Sequence, residues 1–280
     1  MLKVFIHDVR AEDNIIVTCS VNEMQKESTM TTDIHTHLGS ERMSIHNVTE
    51  HDLPEQVDIL LNRMDTFGIR HAVLTPIEPS ISTKLYAEAS RINPERIHYA
   101  CSINPRPLDD AQKLLKEYVN DHTVALVLDD KMYHPEDPSI DKLVDQAIEY
   151  ELPIYFHSDQ MSAATLALVD RLSTIYPTGK FIVLHMGGLF GFPQVLPLIT
   201  RDNVFCEISV TLVRLVESPL RMFLEAMIQE IGVSKLIFGS EHHSEYPDIM
   251  AALNMINLNI ESSRLIRQQN AWQLLKLDYC

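Results

Sequence analysis

Four strand-like segments of the sequence end in side chains that can bind a metal ion or transfer a proton. They end in His35 and His37, in His157, in His185 and in Glu241. Imidazole nitrogens and carboxylate oxygens are common ligands of zinc-type sites, which take about three protein ligands and leave a position for water. The residue types therefore favour a site that binds a metal ion or transfers protons.

His35 and His37 form the pair whose spacing is most informative. Side chains on a strand alternate between its two faces, so histidines two residues apart project toward the same face and can share one ion. A single buried histidine is more often a hydrogen-bonded core residue, but candidates at the ends of several strands weigh against that interpretation. We predict that His35, His37 and His157 bind the metal. Glu241 is predicted as a further ligand, with a hydrogen bond to a substrate or to a histidine as the alternatives.

The elements that must position these residues follow a regular pattern after residue 31. Short apolar, β-branched runs alternate with segments of helical period, which is typical of successive βα units and a parallel sheet. Eight such runs occupy residues 32–36, 71–75, 97–103, 124–128, 154–157, 181–185, 204–209 and 235–240. Helical periods include residues 54–67, 108–119, 140–150, 163–176 and 219–231. Pro54 and Ser139 are predicted to begin two of these helices.

We predict an α/β fold with a single (β/α)8 TIM barrel over residues 31–280, preceded by a short N-terminal extension. The extension, residues 1–30, is either a small hairpin or the product of an upstream start codon. An open doubly wound sheet is the main alternative, but the sequence lacks the G-x-G-x-x-G pattern of dinucleotide-binding sheets. In a barrel, chemistry collects at the C-terminal ends of the strands, which is where the candidate residues lie.

The composition excludes several classes of function. The chain has 280 residues, of which 45% are hydrophobic and 22% charged, as in ordinary globular proteins. Its net charge of −16 argues against nucleic acid and anionic membranes as partners. No apolar run approaches the ~20 residues of a membrane span and no secretion signal is visible, so a cytoplasmic protein is expected. The four cysteines are far apart and predict neither disulfides nor a thiolate zinc site.

Five segments of the sequence resemble the amidohydrolase superfamily, and within it the group similar to aminocarboxymuconate semialdehyde decarboxylase and related lactone hydrolases. The resemblance runs from about residue 31 to 277. Its segments are residues 33–39 (DIHTHLG), 152–157 (LPIYFH), 183–188 (VLHMGG), 237–241 (IFGSE) and 270–271 (NA).

The resemblance implies that His35, His37 and His157 bind one divalent metal ion, zinc with manganese as the alternative. It implies that Glu241 is a further ligand or a base, and that His185 activates water and shuttles protons. The position of Glu241 is normally an aspartate, and the extra methylene displaces the carboxylate by roughly 1.5 Å. The fourth strand offers no lysine or glutamate for a second ion, so the site is expected to be mononuclear.

The acidic and basic residues near the strand ends are predicted to be less important. Asp129 and Asp130 are interpreted as solvated loop acids. Arg42, Arg106 and Arg214 are expected in surface ion pairs, with a substrate-binding role as the alternative. His242 and His243 are expected at the surface or behind the site.

The predicted function is a metal-dependent hydrolase of a small lactone, ester or amide. Nonoxidative decarboxylation of an unsaturated or aromatic acid by the same site is the alternative, and a barrel that has lost catalysis is a third. A nuclease conflicts with the net charge. The expected partner is a small-molecule substrate, and a homodimer is left open.

Overall fold

The computed structural model describes residues 30–277, so the predicted N-terminal extension lies outside the described residues except for Met30. Eight parallel strands follow one another in this part of the chain. They are β1 (Thr31–Thr36), β2 (Ile69–Leu74), β3 in two segments (Ile97–Tyr99 and Cys101–Ser102), β4 (Leu126–Asp129), β5 (Ile154–His157), β6 (Phe181–Val183), β7 (Val204–Glu207) and β8 (Leu236–Ile237).

The strands close into a barrel. Each pairs with the next in parallel, and Ala100 continues the ladder between the two segments of β3. Across the seam between the first and last strands, Ile34 N–H donates to the carbonyl of Phe238 at 3.1 Å, and Ser240 N–H donates to that of His35 at 2.9 Å. The predicted (β/α)8 barrel is therefore confirmed, and the open sheet is excluded.

Helices follow the strands along the chain. They are α1 (Leu53–Phe67), α2 (Thr83–Ser90), α3 (Leu108–Asn120), α4 (Pro138–Glu149), α5 (Ala163–Ile175), α6 (Phe192–Ile199), α7 (Ser209–Val216), α8 (Arg221–Glu230), α9 (Tyr246–Met255), α10 (Ile260–Arg264) and α11 (Asn270–Leu275), with a π-helical turn over Leu265–Gln269. Short 3-10 turns cover Arg42–Asn47, Glu50–Asp52, Leu184–Gly187 and His243–Glu245. Among the helices of residues 30–277, none is both long and apolar enough to cross a membrane.

The start of α4 differs from the prediction. Asp137, not Ser139, caps this helix, and its carboxylate accepts from Ser139 N–H at 2.9 Å. Pro138 occupies the first turn, where a residue without an N–H is tolerated. The helix therefore begins two residues before the predicted start.

The core consists of two hydrophobic clusters, and successive residues of a strand alternate between them. Tyr155 and Ile182 belong to an inner cluster that also contains Leu274 of α11, whereas their neighbours Phe156 and Phe181 pack in the outer cluster with the helices. Such alternation is what a barrel requires, because its strands are buried on both faces. The Asn270 side chain donates to the carbonyls of Val233 and Leu236, which places the start of α11 against the N-terminal end of β8.

Candidate metal centre

Histidines and a carboxylate from four strand ends meet at the C-terminal end of the barrel. Ligand atoms of His35, His157, His185 and Glu241 all lie within 4.8 Å of one another. The rings of His35 and His157, which are 122 positions apart in the sequence, have centroids 5.8 Å apart. His37 lies beside this group with its ring centroid 5.3 Å from that of His35. All five residues that the sequence assigns to the site are thus brought together.

His157 is held by a carboxylate that the sequence analysis interprets wrongly. Asp129 is the last residue of β4 and is buried, not a solvated loop acid, and its Oδ2 lies 2.9 Å from His157 Nδ1. Burial disfavours the ionised form of Asp129, but the hydrogen bond to His157 and the neighbouring basic groups together outweigh it and lower the pKa of the carboxyl. Because Nδ1 contacts Asp129, Nε2 is the ring nitrogen of His157 that is available to bind a metal ion.

His35 on β1 and His37 directly after that strand are oriented in the same manner by different partners. His35 Nδ1 lies 3.4 Å from Oε2 of Glu207, a fully buried carboxylate at the end of β7. His37 Nδ1 lies 3.3 Å from the Tyr86 hydroxyl, and burial lowers the pKa of His37 well below its ordinary value. Burial also opposes the charged form of His35, but Glu207, with Glu241 and Asp33, outweighs this and raises the pKa of His35.

Three polar atoms that face the centre have no hydrogen-bond partner although they are buried. They are His35 Nε2, His37 Nε2 and Glu241 Oε2. Buried polar atoms are almost always paired, and these atoms are the types that bind zinc or manganese. A divalent cation held by the group that contains His35 and Glu241 would satisfy two of these atoms, and His37 lies next to that group, so the donor set fits such an ion.

His185 follows β6 on a turn of unusual backbone. The strand ends at Val183, and His185 lies in the 3-10 turn rather than in the predicted strand. His185 and Met186 have φ values of 55° and 54°, and Glu241 has a φ of 70°. Residues with side chains rarely adopt this left-handed conformation, and it is enriched where function requires it.

The His185 ring lies between a hydroxyl and a carboxylate. Its Nδ1 lies 2.8 Å from Ser209 Oγ, and its Nε2 lies 3.2 Å from Glu241 Oε2. Burial lowers the pKa of His185 to about 4, although Glu241 acts in the opposite direction. Burial also disfavours ionised Glu241, but the neighbouring histidines, His185 first, lower its pKa far below the usual range.

A cavity of about 340 Å³ lies next to His185 and Glu241. Arg42 and Arg214 line it, and the Arg42 guanidinium lies 3.8 Å from Glu241 Oε1. The exposed ring of Phe190 forms another part of the wall. The cavity therefore joins two cations and an aromatic ring to the histidine cluster.

Comparison with known proteins decides the family. A sequence model of the family described as amidohydrolase matches residues 32–251. The chain belongs to this family. A search of curated proteins gives no match to this amidohydrolase.

Solved structures share the fold of this amidohydrolase at low sequence identity. An uncharacterised TIM-barrel protein from Bordetella bronchiseptica has a TM-score of 0.72 at 14% identity, with 89% of this chain and 99% of that chain covered. A probable 2-pyrone-4,6-dicarboxylic acid hydrolase from Acinetobacter baumannii, with citric acid bound, has a TM-score of 0.69 at 17% identity and the same coverage. A dihydroxybenzoic acid decarboxylase from Polaromonas sp. JS666, with manganese and the inhibitor 2-nitroresorcinol bound, has a TM-score of 0.62 at 17% identity, with 90% and 98% covered.

The remaining basic candidates of this amidohydrolase divide into two groups. Arg106 pairs with Asp137 at the surface as predicted. Arg42 and Arg214 instead line the cavity.

His242 and His243 are buried, so of the two predicted placements the structure shows the one behind the site and not the one at the surface. Both direct Nε2 at the carbonyl oxygen of Gly39, at 3.1 and 2.8 Å. They thereby attach the segment after β1 to the segment after β8, behind the histidine cluster.

Four residues that orient the site histidines of this amidohydrolase are not predicted in that role from the sequence. Asp129 and Glu207 each end an apolar strand run, and that position was a signal that could have found them. Ser209 begins α7 two residues after β7 ends. Tyr86 reaches His37 from α2, and no local pattern in the sequence indicates that contact.

Proposed function

We propose that this amidohydrolase is a metal-dependent hydrolase of a small carbonyl substrate, a lactone, ester or amide that carries a carboxylate. The observation on which this rests is the convergence of His35, His157, His185 and Glu241 beside a cavity lined by arginines. The family match is consistent with hydrolysis, and the hydrolase from Acinetobacter baumannii has the same fold.

His35, His37 and His157 would hold one divalent ion, with Glu241 as a further ligand. We propose zinc, with manganese as the alternative because one relative of this fold contains it. When bound, such an ion polarises a carbonyl oxygen and makes water more acidic. The three unpartnered donor atoms of this group are the support for its presence.

His185 is proposed to move the proton. The Ser209 hydroxyl, 2.8 Å from Nδ1, fixes the ring so that Nε2 faces Glu241. The lowered pKa of about 4 keeps the imidazole neutral near pH 7, with one basic nitrogen to accept a proton. In ester hydrolysis water adds to the carbonyl carbon, and the bond to the leaving oxygen breaks. His185 takes the proton from water and returns it to that oxygen, while the Glu241 carboxylate stabilises the transient imidazolium.

Arg42 and Arg214 are proposed to orient the substrate by its carboxylate. A guanidinium binds a carboxylate through two parallel hydrogen bonds, and such bonds are stronger than neutral ones. Both residues line the cavity that contains His185 and Glu241. The relatives named for a dicarboxylic acid and a dihydroxybenzoic acid act on anions, which supports the same class here.

Decarboxylation of an unsaturated or aromatic acid is the second candidate. His185 would then first take up a proton from water and, as the imidazolium, deliver it to the carbon that loses carbon dioxide. The fold is shared with a dihydroxybenzoic acid decarboxylase, and the exposed ring of Phe190 beside the arginines suits an aromatic acid.

The net charge of −16 supports a small molecule rather than nucleic acid as the partner. A cytoplasmic location and a homodimer remain proposals. A barrel that has lost catalysis gives no reason for three buried ligand atoms to be left without partners. We therefore rank this third candidate function last.

The test begins with protein produced with zinc or manganese supplied, whose metal content is measured by mass spectrometry. The protein is then assayed against carboxylated lactones and against aromatic carboxylates. We expect about one ion per chain and opening of a lactone; carbon dioxide release without lactone opening would replace the hydrolase with the decarboxylase. Arg42→Met should raise KM for the carboxylated substrate about tenfold to a hundredfold. Arg106→Met, which removes only a surface ion pair, is the matched control.

A further inference from the structure

Glu207 is a fully buried carboxylate whose contacts reach two of the site histidines but not the cavity. We infer that Glu207 is a positioning residue that sets the orientation of the His35 ring and of the His185 backbone. The inference rests on the proposed function for its catalytic meaning, although the contacts themselves do not depend on a bound ion.

The first contact fixes one ring nitrogen of His35. Glu207 Oε2 lies 3.4 Å from His35 Nδ1. A carboxylate only accepts hydrogen bonds, so this bond places the proton on Nδ1. The lone pair is then on Nε2, which is buried without a partner and lies 3.7 Å from Glu241 Oε2. A carboxylate behind a metal-binding histidine orients the ring and makes it a better ligand.

The second contact involves the same oxygen. His185 N–H donates to Glu207 Oε2 at 2.8 Å. His185 and the following Met186 are both in the left-handed region, a conformation that costs free energy for residues with side chains. A hydrogen bond to a charged acceptor is stronger than one to a neutral acceptor, so it offsets part of this cost. One oxygen atom therefore couples a proposed metal ligand to the proposed proton carrier.

The third observation concerns space. A Cβ atom added to Gly239 would overlap the Glu207 carboxylate. Gly239 is needed here because it has no side chain. Gly239 lies between β8 and Glu241. The Glu207 carboxylate therefore occupies the space between its own strand β7, strand β1 and the segment that carries Glu241.

The experiment uses the full chain and Co²⁺ as the probe. Glu207→Ala removes both bonds, and Glu207→Gln keeps an acceptor oxygen without the charge. Cys206→Ala is the matched control, because Cys206 is equally buried on the same strand but belongs to the outer cluster. We expect Glu207→Ala to bind Co²⁺ about 10-fold to 100-fold more weakly and to change its visible absorption spectrum. Glu207→Gln should lie between Glu207→Ala and the unaltered protein, and Cys206→Ala should match the latter.

A second readout requires no metal. In ¹⁵N-labelled protein at mildly alkaline pH, imidazole spectra should place the His35 proton on Nδ1, with the signal identified by its loss in His35→Gln. Glu207→Ala should abolish that preference. Should Glu207→Ala fail to fold, Gly239→Ala displaces the carboxylate from the other side and should weaken Co²⁺ binding as Glu207→Gln does.

The outcomes separate the two proposals. Folded Glu207 variants with unaltered Co²⁺ affinity and unaltered His35 tautomer would overturn the inference, whatever the activity. If the unaltered protein binds no Co²⁺, Zn²⁺ or Mn²⁺, the proposed function fails. The tautomer measurement then still decides the role of Glu207.

Discussion

Asp129 Oδ2 lies 2.9 Å from His157 Nδ1, and this contact joins the ends of two neighbouring strands. The carboxylate fixes which nitrogen of His157 carries the proton and leaves Nε2 for the centre. Asp129 therefore acts on the centre through His157.

Asp129→Asn should weaken metal binding about 10-fold to 100-fold, because the amide no longer provides a charged acceptor for His157. The measurement is the dissociation constant for Zn²⁺ or Mn²⁺ by competition with a chelator. Asp130→Asn, at the next position and outside the site, should bind the ion like the unaltered protein. Equal metal affinities in all three proteins would show that Asp129 does not contribute to metal binding.

His185→Asn should reduce kcat about a hundredfold to ten-thousandfold while the chain keeps its metal, because it removes a proton carrier and not a ligand. Metal content and steady-state rates are measured on the same preparation. Exposed His51 provides the control, since His51→Asn should change neither. His185 lies among the potential ligands, so a parallel loss of metal would identify it as one of them.

Glu241→Gln should lower metal affinity at least tenfold, since it replaces the anionic oxygen beside His185 and His35 by a neutral amide. Glu241→Asp should retain the ion, because it keeps the charge and aspartate tolerates positive φ better than most residues. Metal titration of both variants checks this. Equal affinity of the two variants would show that the charge at this position is not used for binding.

Stability should fall in mild acid because of a histidine pair away from the site. His71 Nδ1 lies 3.1 Å from His98 Nε2 on strands β2 and β3, and burial lowers the pKa of each to about 4. The contribution of this pair to the free energy of unfolding is fully present above pH 6.5, where both histidines are neutral in the folded and unfolded states. As the pH falls from 6.5 to 4 the unfolded chain takes up protons that the folded chain does not, so stability is lost, by about 1.4 kcal/mol for each unit of pKa difference.

Urea unfolding at several pH values between about 7 and 4 measures this loss. The double variant His71→Phe/His98→Leu should show a shallower decline of the unfolding free energy. His46→Gln, which changes an exposed histidine, should decline like the unaltered protein. A decline of the same steepness in the double variant would assign the acid sensitivity to other groups.

The parts of the site that the sequence predicts depend on local rules. The period of two places His35 and His37 together, and the barrel places His157 and Glu241 at the same end. The parts that it misses depend on tertiary contacts. Tyr86 comes from a helix, and its approach to His37 depends on packing that no short pattern encodes.

Other differences arise where local chemistry competes with the predicted period. The apolar run of β6 continues to Leu184, but the backbone turns after Val183, and the bond from His185 N–H to Glu207 holds the turned conformation. Asp137 outcompetes Ser139 as a cap because Pro138 suits the first helical position. In both places the reason is visible only once the neighbouring element is known.

The seam of the barrel has a consequence for how the protein matures. Asp33 on β1 accepts from Ser240 Oγ at 2.6 Å and from Ser240 N–H at 3.0 Å, across a sequence separation of 207 residues. His35 and Glu241 flank this junction, so they meet only after the ribosome has released nearly all of the barrel. Loading of the proposed ion would thus be a late event of biosynthesis. If the ion binds only to the closed barrel, its binding free energy would stabilise the pairing of the first and last strands.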